Sequence, residues 1–279
     1  MNKEVNCICR SETPINSELI TCNECKTQQH KECVKNACKL KLYECPDCQI
    51  KKMDIFIKPI KKLSQTALVR NVNETTSVKF NYNEEELYSQ SKNKKFILIR
   101  CLKLDGIGYQ HHWPLNCIIS LNSKKIRALE VPKNQVLSKQ RTDYPVVFHL
   151  SGDLDDNYHN LKTNYCLTSD NLYPVNEFSL LNNASENRSD RDNYALSVDL
   201  VEITYDIKDV ISGIPFNVNN KLFNDELIEA VSLKLIDCYT ENRIKIPARG
   251  VLCDHFGVFD LEQYLLVTRK NKRYVCPLC

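Results

Sequence analysis

The chain has 279 residues, 42% of them hydrophobic and 26% charged, with a formal net charge of +3. That length allows one large folded unit or a few small ones, and so mild a charge does not by itself announce a nucleic-acid binder. No apolar run approaches the ~18 residues of a membrane-spanning helix. The N-terminus, MNKEVNCICR, lacks the apolar stretch of a secretory signal, so neither export nor a membrane partner is expected. Cysteine is the outlier, at fifteen residues, eight of them in the first 48 positions and four in the last 42. Without an export signal, such cysteines are expected as metal ligands rather than disulfides. Cys101, Cys117 and Cys166 lie between the two groups without ligand spacing and are read as small buried hydrophobes.

The first 48 residues carry four close pairs: Cys7 and Cys9, Cys22 and Cys25, His30 and Cys33, Cys45 and Cys48. Zinc takes four nitrogen or sulfur donors in a tetrahedron, and one tight turn supplies a pair of them. Eight donors therefore imply two ions. A segment this short buries too little apolar surface to fold unaided, whereas a structural zinc contributes roughly 10–16 kcal/mol. The order of four cysteines, a histidine and three cysteines resembles the PHD finger. That resemblance implies interleaved sites, with Cys7, Cys9, His30 and Cys33 on one zinc and Cys22, Cys25, Cys45 and Cys48 on the other. Cys38 is left as a free thiol. Family members that read methyl-lysine place a tryptophan two residues before the ligand histidine. Gln28 stands there in this chain, so a structural or protein-docking finger is expected.

Residues 51–66 read as a solvated basic linker containing Lys51, Lys52, Lys58, Lys61 and Lys62. From 67 to 215 the patterns are those of strands. Phe96–Leu104 is an apolar, β-branched run; Leu115–Leu121 ends at Asn122-Ser123, a hairpin turn signal; Tyr144–Leu150 is a further apolar run. Around Tyr194–Ile207, Leu196, Val198 and Leu200 alternate with Ser197 and Asp199. Short strands with turns between them suggest an all-β sandwich. Trp113-Pro114, a strand, Asn122 and then Lys125-Ile-Arg-Ala128 resemble the middle of a PINIT domain, which implies a substrate-binding role without assigning residues to it.

The last segment, 224–279, contains Val231-Ser-Leu233, Arg243-Ile-Lys-Ile-Pro247, Arg249-Gly250, Cys253-x-His255, Phe259-Asp-Leu261 and Cys276-Pro-Leu-Cys279. These resemble the SP-RING (MIZ) zinc finger, an α+β RING-like module. The resemblance puts one zinc on Cys253, His255, Cys276 and Cys279, with a short helix over 259–267 between the ligand pairs. The first loop has a single cysteine, Cys238, where an ordinary RING would hold its second metal, so a ubiquitin ligase of that type is not expected. Leu235-Ile236 stand at the loop's usual Cys-Pro. The family pattern continues past Cys279, and the module is expected to be cut short there.

Taken together the order resembles the SIZ/PIAS-type SUMO ligases: a multi-domain chain of PHD-type finger (1–50), PINIT-like sandwich and SP-RING. The resemblance implies three zinc ions and no catalytic residue of the chain's own. It implies an E3 SUMO-protein ligase that joins a charged SUMO-conjugating enzyme, SUMO and a substrate protein, with Leu235, Ile236, Pro277 and Leu278 touching the enzyme. A nuclear location follows, with chromatin or a histone tail as a further partner and no small-molecule substrate. The runner-up is a non-catalytic, chromatin-associated scaffold built from the same modules.

Overall fold

The computed structural model describes residues 5–11, 18–34, 43–70, 74–82, 95–104, 111–114, 116–129, 143, 145–150, 164–167, 176–182, 193–204, 206–214, 232–250, 253–271 and 274–279. Cys38 and residues 224–231 lie outside this set, as does the side chain of Cys166. The chain divides into two compact units, one of Met1–Met53 with Ile57–Ile203 and one of Asp54–Phe56 with Thr204–Cys279.

The first unit begins with a hairpin of β1 (Leu19–Thr21) and β2 (Gln28–His30), followed by a single turn, α1 (Lys31–Val34), and by α2 (Pro46–Lys52). Proline at the first position of α2 is suited to a helix start, because its missing N–H is one of the helix's unpaired donors in any case. Two sheets follow. One runs β10 (Asn164–Leu167), β9 (Val146–Leu150), β6 (Lys95–Lys103), β12 (Tyr194–Ile203) and β3 (Ile57–Lys62), with β4 (Ala67–Val69) also paired to β12. The other runs β5 (Glu74–Phe80), β11 (Asn176–Asn182), β7 (Cys117–Leu121) and β8 (Lys124–Leu129). Ile97, Ile99, Leu196 and Val198 of the first sheet share one core with Val78, Phe80, Phe178, Leu180 and Ile119 of the second, around the fully buried Trp113. This is the sandwich expected from the sequence. Cys101 and Cys117 sit in that core as small hydrophobes. Asn122 and Ser123 join β7 to β8 with φ of 48° and 65°, the paired left-handed geometry of a tight hairpin turn.

Two expectations change. Residues 57–62, read as linker, form β3 along β12: Ile57 faces Ile203 and Lys58 faces Glu202. Its lysines and Pro59 are residues that suit an edge strand, where charge and a missing N–H discourage further pairing, so charge alone misread it as solvated chain. Second, the alternation of β12 does not mark a solvent face. Ser197 and Asp199 are buried, and so is almost every residue of β6. The finger covers the other side of these strands. Cys7, Ile8, Cys33, Ile50 and Met53 share a cluster with Leu102, Leu104 and Ala195. Strands covered on both faces lose the polar half of their pattern.

Polar contacts fix the finger on the sheet. Arg100, buried in β6, donates to the Ile50 carbonyl at 2.8 Å and to Asp199 at 2.7 Å, and Ser197 donates to the same carboxylate at 2.9 Å. The Asn193 amide donates to the Cys33 carbonyl at 3.0 Å, and Leu68 N–H to the Ile8 carbonyl at 3.1 Å. Finger and sandwich therefore form one compact unit rather than two domains on a tether.

The second unit starts earlier than the sequence suggested. After Thr204, Asp206 caps α3 (Ile207–Gly213) by accepting from Lys208 N–H at 2.8 Å. Val210 then packs with Leu261 and Leu265 in the C-terminal core. β13 (Pro247–Ala248) pairs with β14 (Phe259–Asp260), and α4 spans Leu261–Asn271. The helix expected over 259–267 thus begins after Phe259, which is held in the strand pair.

Breaking the buried ion pair tests the joint between finger and sheet. Asp199→Ala leaves Arg100 without its carboxylate, at an expected cost of about 3–5 kcal/mol. Urea unfolding followed by the emission of Trp113, the chain's single tryptophan, measures the sandwich directly; an unchanged midpoint would contradict this account.

Candidate metal centres

Backbone turns bring the expected ligands together. Cys7 and Cys9 lie on a turn closed by Arg10 N–H on the Cys7 carbonyl at 2.9 Å, with Arg10 at φ 58°. The buried Gln29 fixes this turn, accepting from Ile8 N–H at 3.1 Å and donating to the Asn6 carbonyl at 2.7 Å. Sequence reasoning passed over Gln29, since nothing in the pattern distinguishes it from Gln28. β2 and α1 present His30 and Cys33 to the same point. Cys22 and Cys25 occupy a second turn, where Lys26 at φ 63° donates to the Cys22 carbonyl at 3.1 Å. Cys45 stands just before the first turn of α2 and Cys48 lies in that turn.

Three clusters result: Cys7, Cys9, His30 and Cys33; Cys22, Cys25, Cys45 and Cys48; Cys253, His255, Cys276 and Cys279. Within each, the donor atoms lie within 4.8 Å of one another. A zinc–sulfur bond of about 2.3 Å sets the edge of a sulfur tetrahedron near 3.8 Å. Cys253 and Cys279 sulfurs are 3.9 Å apart, and those of Cys25 and Cys45 are 3.5 Å apart. His30 Nδ1 is 3.3 Å from the Cys9 sulfur, and His255 Nε2 is 3.2 Å from that of Cys276. The opposite nitrogens, Nε2 of His30 and Nδ1 of His255, are buried without a hydrogen-bond partner among the described residues. Only the nitrogen facing the sulfurs is placed to coordinate.

The thiols' acidities show what such crowding requires. Hydrogen bonding from Cys33, together with backbone donors, brings Cys7 down to about 4 against the opposing effect of burial, while Cys33 itself is driven up by the same bond. Burial pushes Cys25 and Cys276 up, yet donors outweigh it and bring each to about 6. Those donors are Thr27 for Cys25, and the backbone N–H groups of Leu278 and Cys279 with His255 for Cys276. Their neighbours go the other way: burial takes Cys45 to about 12, and hydrogen bonding to Cys276 and Cys253 takes Cys279 to about 11. Packed thiols cannot all ionise against one another; a dication removes that conflict. Backbone N–H groups also point at sulfur, His30 to Cys7 at 3.4 Å, Cys45 to Cys22 at 3.1 Å and Leu278 to Cys276 at 3.4 Å. The donor chemistry of all three clusters fits zinc.

The first loop of the second unit is organised by a carboxylate. Asp237 is buried; one oxygen accepts from Tyr239 N–H, Thr240 N–H and the Thr240 hydroxyl at 3.0–3.1 Å, the other from Asp260 N–H at 3.0 Å. Burial pushes Asp237 up, but these bonds prevail and its pKa is lowered. Asp260 continues the chain of bonds, accepting from Lys245 and Ile246 on one oxygen and from Glu262 and Gln263, at the start of α4, on the other. The two carboxylates thus tie the first loop, the β-pair and the helix together. The sequence pattern included Asp260 only as part of a motif and omitted Asp237, whose role depends on which N–H groups the fold brings to it.

Beside the third cluster lies a groove of about 680 Å³ lined by Leu233, Ile236, Phe256, Val258 and Leu278, with Lys234 and Glu241 at its polar edge. Ile236 is 47% exposed and Leu278 43%. Of the four expected contact residues, these two line the groove and Leu235 and Pro277 do not. Ile236 is bridged to Arg243, and Leu235 beside it is exposed outside the groove. Leu233, Phe256 and Val258 complete the groove's apolar lining.

Fold and donor sets define a multi-domain zinc-binding protein, mostly β, with a RING-like C-terminal module. Residues 234–279 match the MIZ/SP-RING zinc finger family. The E3 SUMO-protein ligase SIZ1 of Oryza sativa subsp. japonica is 20% identical over 99% of this chain, which spans 34% of that protein's length. The E4 SUMO-protein ligase PIAL2 of Arabidopsis thaliana is 33% identical over 20% of the chain and 8% of its own length. The crystal structure of the S. cerevisiae SUMO E3 ligase SIZ2 aligns with a TM-score of 0.44 and 18% identity, covering 80% of this chain and 83% of that one. The family match and the rice relative support the SIZ/PIAS-type resemblance read from the sequence.

Metal analysis of the purified, reduced chain is expected to give three zinc ions, and two after His255→Ala. Gly250→Ala is expected to loosen the third ion alone, because a Cβ there would lie 2.8 Å from the Cys253 sulfur. Zinc release to a chelating dye, compared between parent and variant, measures it; identical release would remove Gly250 from the site.

Proposed function

We propose that the chain acts as an E3 SUMO-protein ligase, without a nucleophile of its own. The observation that carries this reading is the groove with exposed Ile236 and Leu278, inside the segment that matches the MIZ/SP-RING family. In this reading the SUMO thioester sits on the conjugating enzyme, whose surface docks on Leu233, Ile236 and Leu278. A substrate lysine attacks while the ligase restrains both reactants, so that catalysis is proximity and orientation. The twelve clustered cysteines and histidines serve as zinc ligands. The finger and sandwich form the substrate-facing unit, the C-terminal unit binds the enzyme, and the protein works in the nucleus.

A non-catalytic scaffold is the second reading, favoured by Leu235-Ile236 at the loop's usual Cys-Pro. A reconstituted SUMO-transfer assay with the full-length protein separates the two. Ligase action predicts faster transfer with the protein present. It also predicts at least a tenfold loss for Ile236→Ala and for Leu278→Ala, with zinc content and melting temperature close to the parent's, since half-exposed anchors belong to an interface rather than a core. No stimulation by the parent protein supports the scaffold instead.

The finger is expected not to distinguish trimethylated from unmodified lysine. Gln28 is a paired strand residue, opposite Thr21 and bridged to Val5, and it offers no aromatic face to a quaternary ammonium. Titration of matched histone peptides measures this; a tenfold preference, about 1.4 kcal/mol, would refute it.

A further inference from the structure

The C-terminal unit contains three residues from far upstream, Asp54, Ile55 and Phe56, although Met53 and Ile57 on either side belong to the first unit. Phe56 is 2% exposed and lies in the core formed by Val210, Leu261 and Leu265. The Arg269 guanidinium stands 5.7 Å from its ring centre, and its carbonyl accepts from Thr204 N–H at 2.8 Å. Asp54, itself buried, accepts from the Tyr274 hydroxyl at 2.6 Å across a sequence separation of 220 residues, and from Phe56 N–H at 2.9 Å. Tyr274 packs against the same core and stands two positions before Cys276.

This arrangement bears on how the third cluster is held. One ligand pair, Cys253 and His255, is fixed by local bonds: Cys253 N–H to the Gly250 carbonyl at 3.1 Å and Arg249 to the His255 carbonyl at 3.0 Å. The other pair, Cys276 and Cys279, sits on a segment in which Val275 and Leu278 are exposed. Among the described residues of that segment, Tyr274 is the side chain anchored in the core. Its hydroxyl ends on Asp54.

We propose that Asp54 and Phe56 are positioning residues for the third metal centre. Phe56 anchors the short strap in the helix core, and Asp54 holds Tyr274 so that Cys276 and Cys279 meet Cys253 and His255 at tetrahedral spacing. A group that orients a ligand without touching the metal typically changes metal affinity by about 10–100-fold. The inference concerns metal retention and stands apart from the ligase reading.

The test uses the whole chain loaded with cadmium-113, whose NMR signals separate the three centres; the C-terminal one is the resonance missing in His255→Ala. Metal release to a chelator is then followed at each centre. Asp54→Ala and Tyr274→Phe are each expected to speed release from the third centre at least tenfold and to leave both finger centres unchanged. The double variant is expected to be no faster than Asp54→Ala alone, because the bond that Tyr274→Phe removes is already lost there. Asp54→Asn, which keeps an acceptor for the Tyr274 hydroxyl, is expected to restore most of the retention, and Phe56→Leu to fall between Asp54→Asn and Asp54→Ala. Third-centre release within twofold of the parent in both Asp54→Ala and Tyr274→Phe would overturn the proposal. So would equal acceleration at all three centres, or a parent chain with no third resonance.

Discussion

Sulfur crowding is the constraint on which the rest of this structure depends. In each cluster one thiol is pulled toward the thiolate while a neighbour is pushed the other way, as with Cys7 at about 4 beside Cys33 and Cys276 at about 6 beside Cys279 at about 11. A dication lets every sulfur ionise at once and converts mutual repulsion into four bonds. The surrounding chain is arranged to receive it. Left-handed turns at Arg10 and Lys26 close the ligand pairs, backbone N–H groups point at sulfur, and the Gln29 amide fixes the first turn.

The first cluster is also part of a larger core. Cys7 and Cys33 lie in the apolar cluster that contains Leu102, Leu104 and Ala195 of the sheet, and the Cys33 carbonyl is bonded to Asn193. The first ligand set is therefore packed directly against the sandwich sheet. The second cluster has its own surroundings, with Val34, Tyr43 and Ile20 packed around it and Cys25 at the surface. The two centres of one finger are thus unequal: one is buried against the sheet, the other lies outward.

In the C-terminal unit two kinds of organisation coexist. Cys253, His255, Cys276 and Cys279 gather as a metal-ligand set. Beside them the Asp237 and Asp260 carboxylates collect backbone N–H groups from the loop, the β-pair and the helix. A carboxylate with several N–H donors is a fixed anion rather than a dication, yet it performs a similar task, converging segments on one point. With the loop held this way, Ile236 and Leu278 stay at the surface beside the groove.

The sequence by itself determined the ligand pairs, the interleaving implied by the finger resemblance, the central strands of the sandwich such as Lys95–Lys103 and Tyr194–Ile203, and the C-terminal zinc pattern. These are local signals: spacings of a few residues, apolar alternation and turn residues such as Asn122-Ser123. Tertiary structure decided what depends on partners distant in the chain. Residues 57–62 became a strand because β12 was there to pair with them. Ser197, Asp199 and Arg100 became interior because the finger covers them. Ile236 and Leu278, but neither Leu235 nor Pro277, came to line one groove because two loops distant in the chain meet there. Asp54 met Tyr274 across 220 positions of chain. No periodicity or spacing encodes such a meeting, because it arises only once separately folded elements enclose the same core.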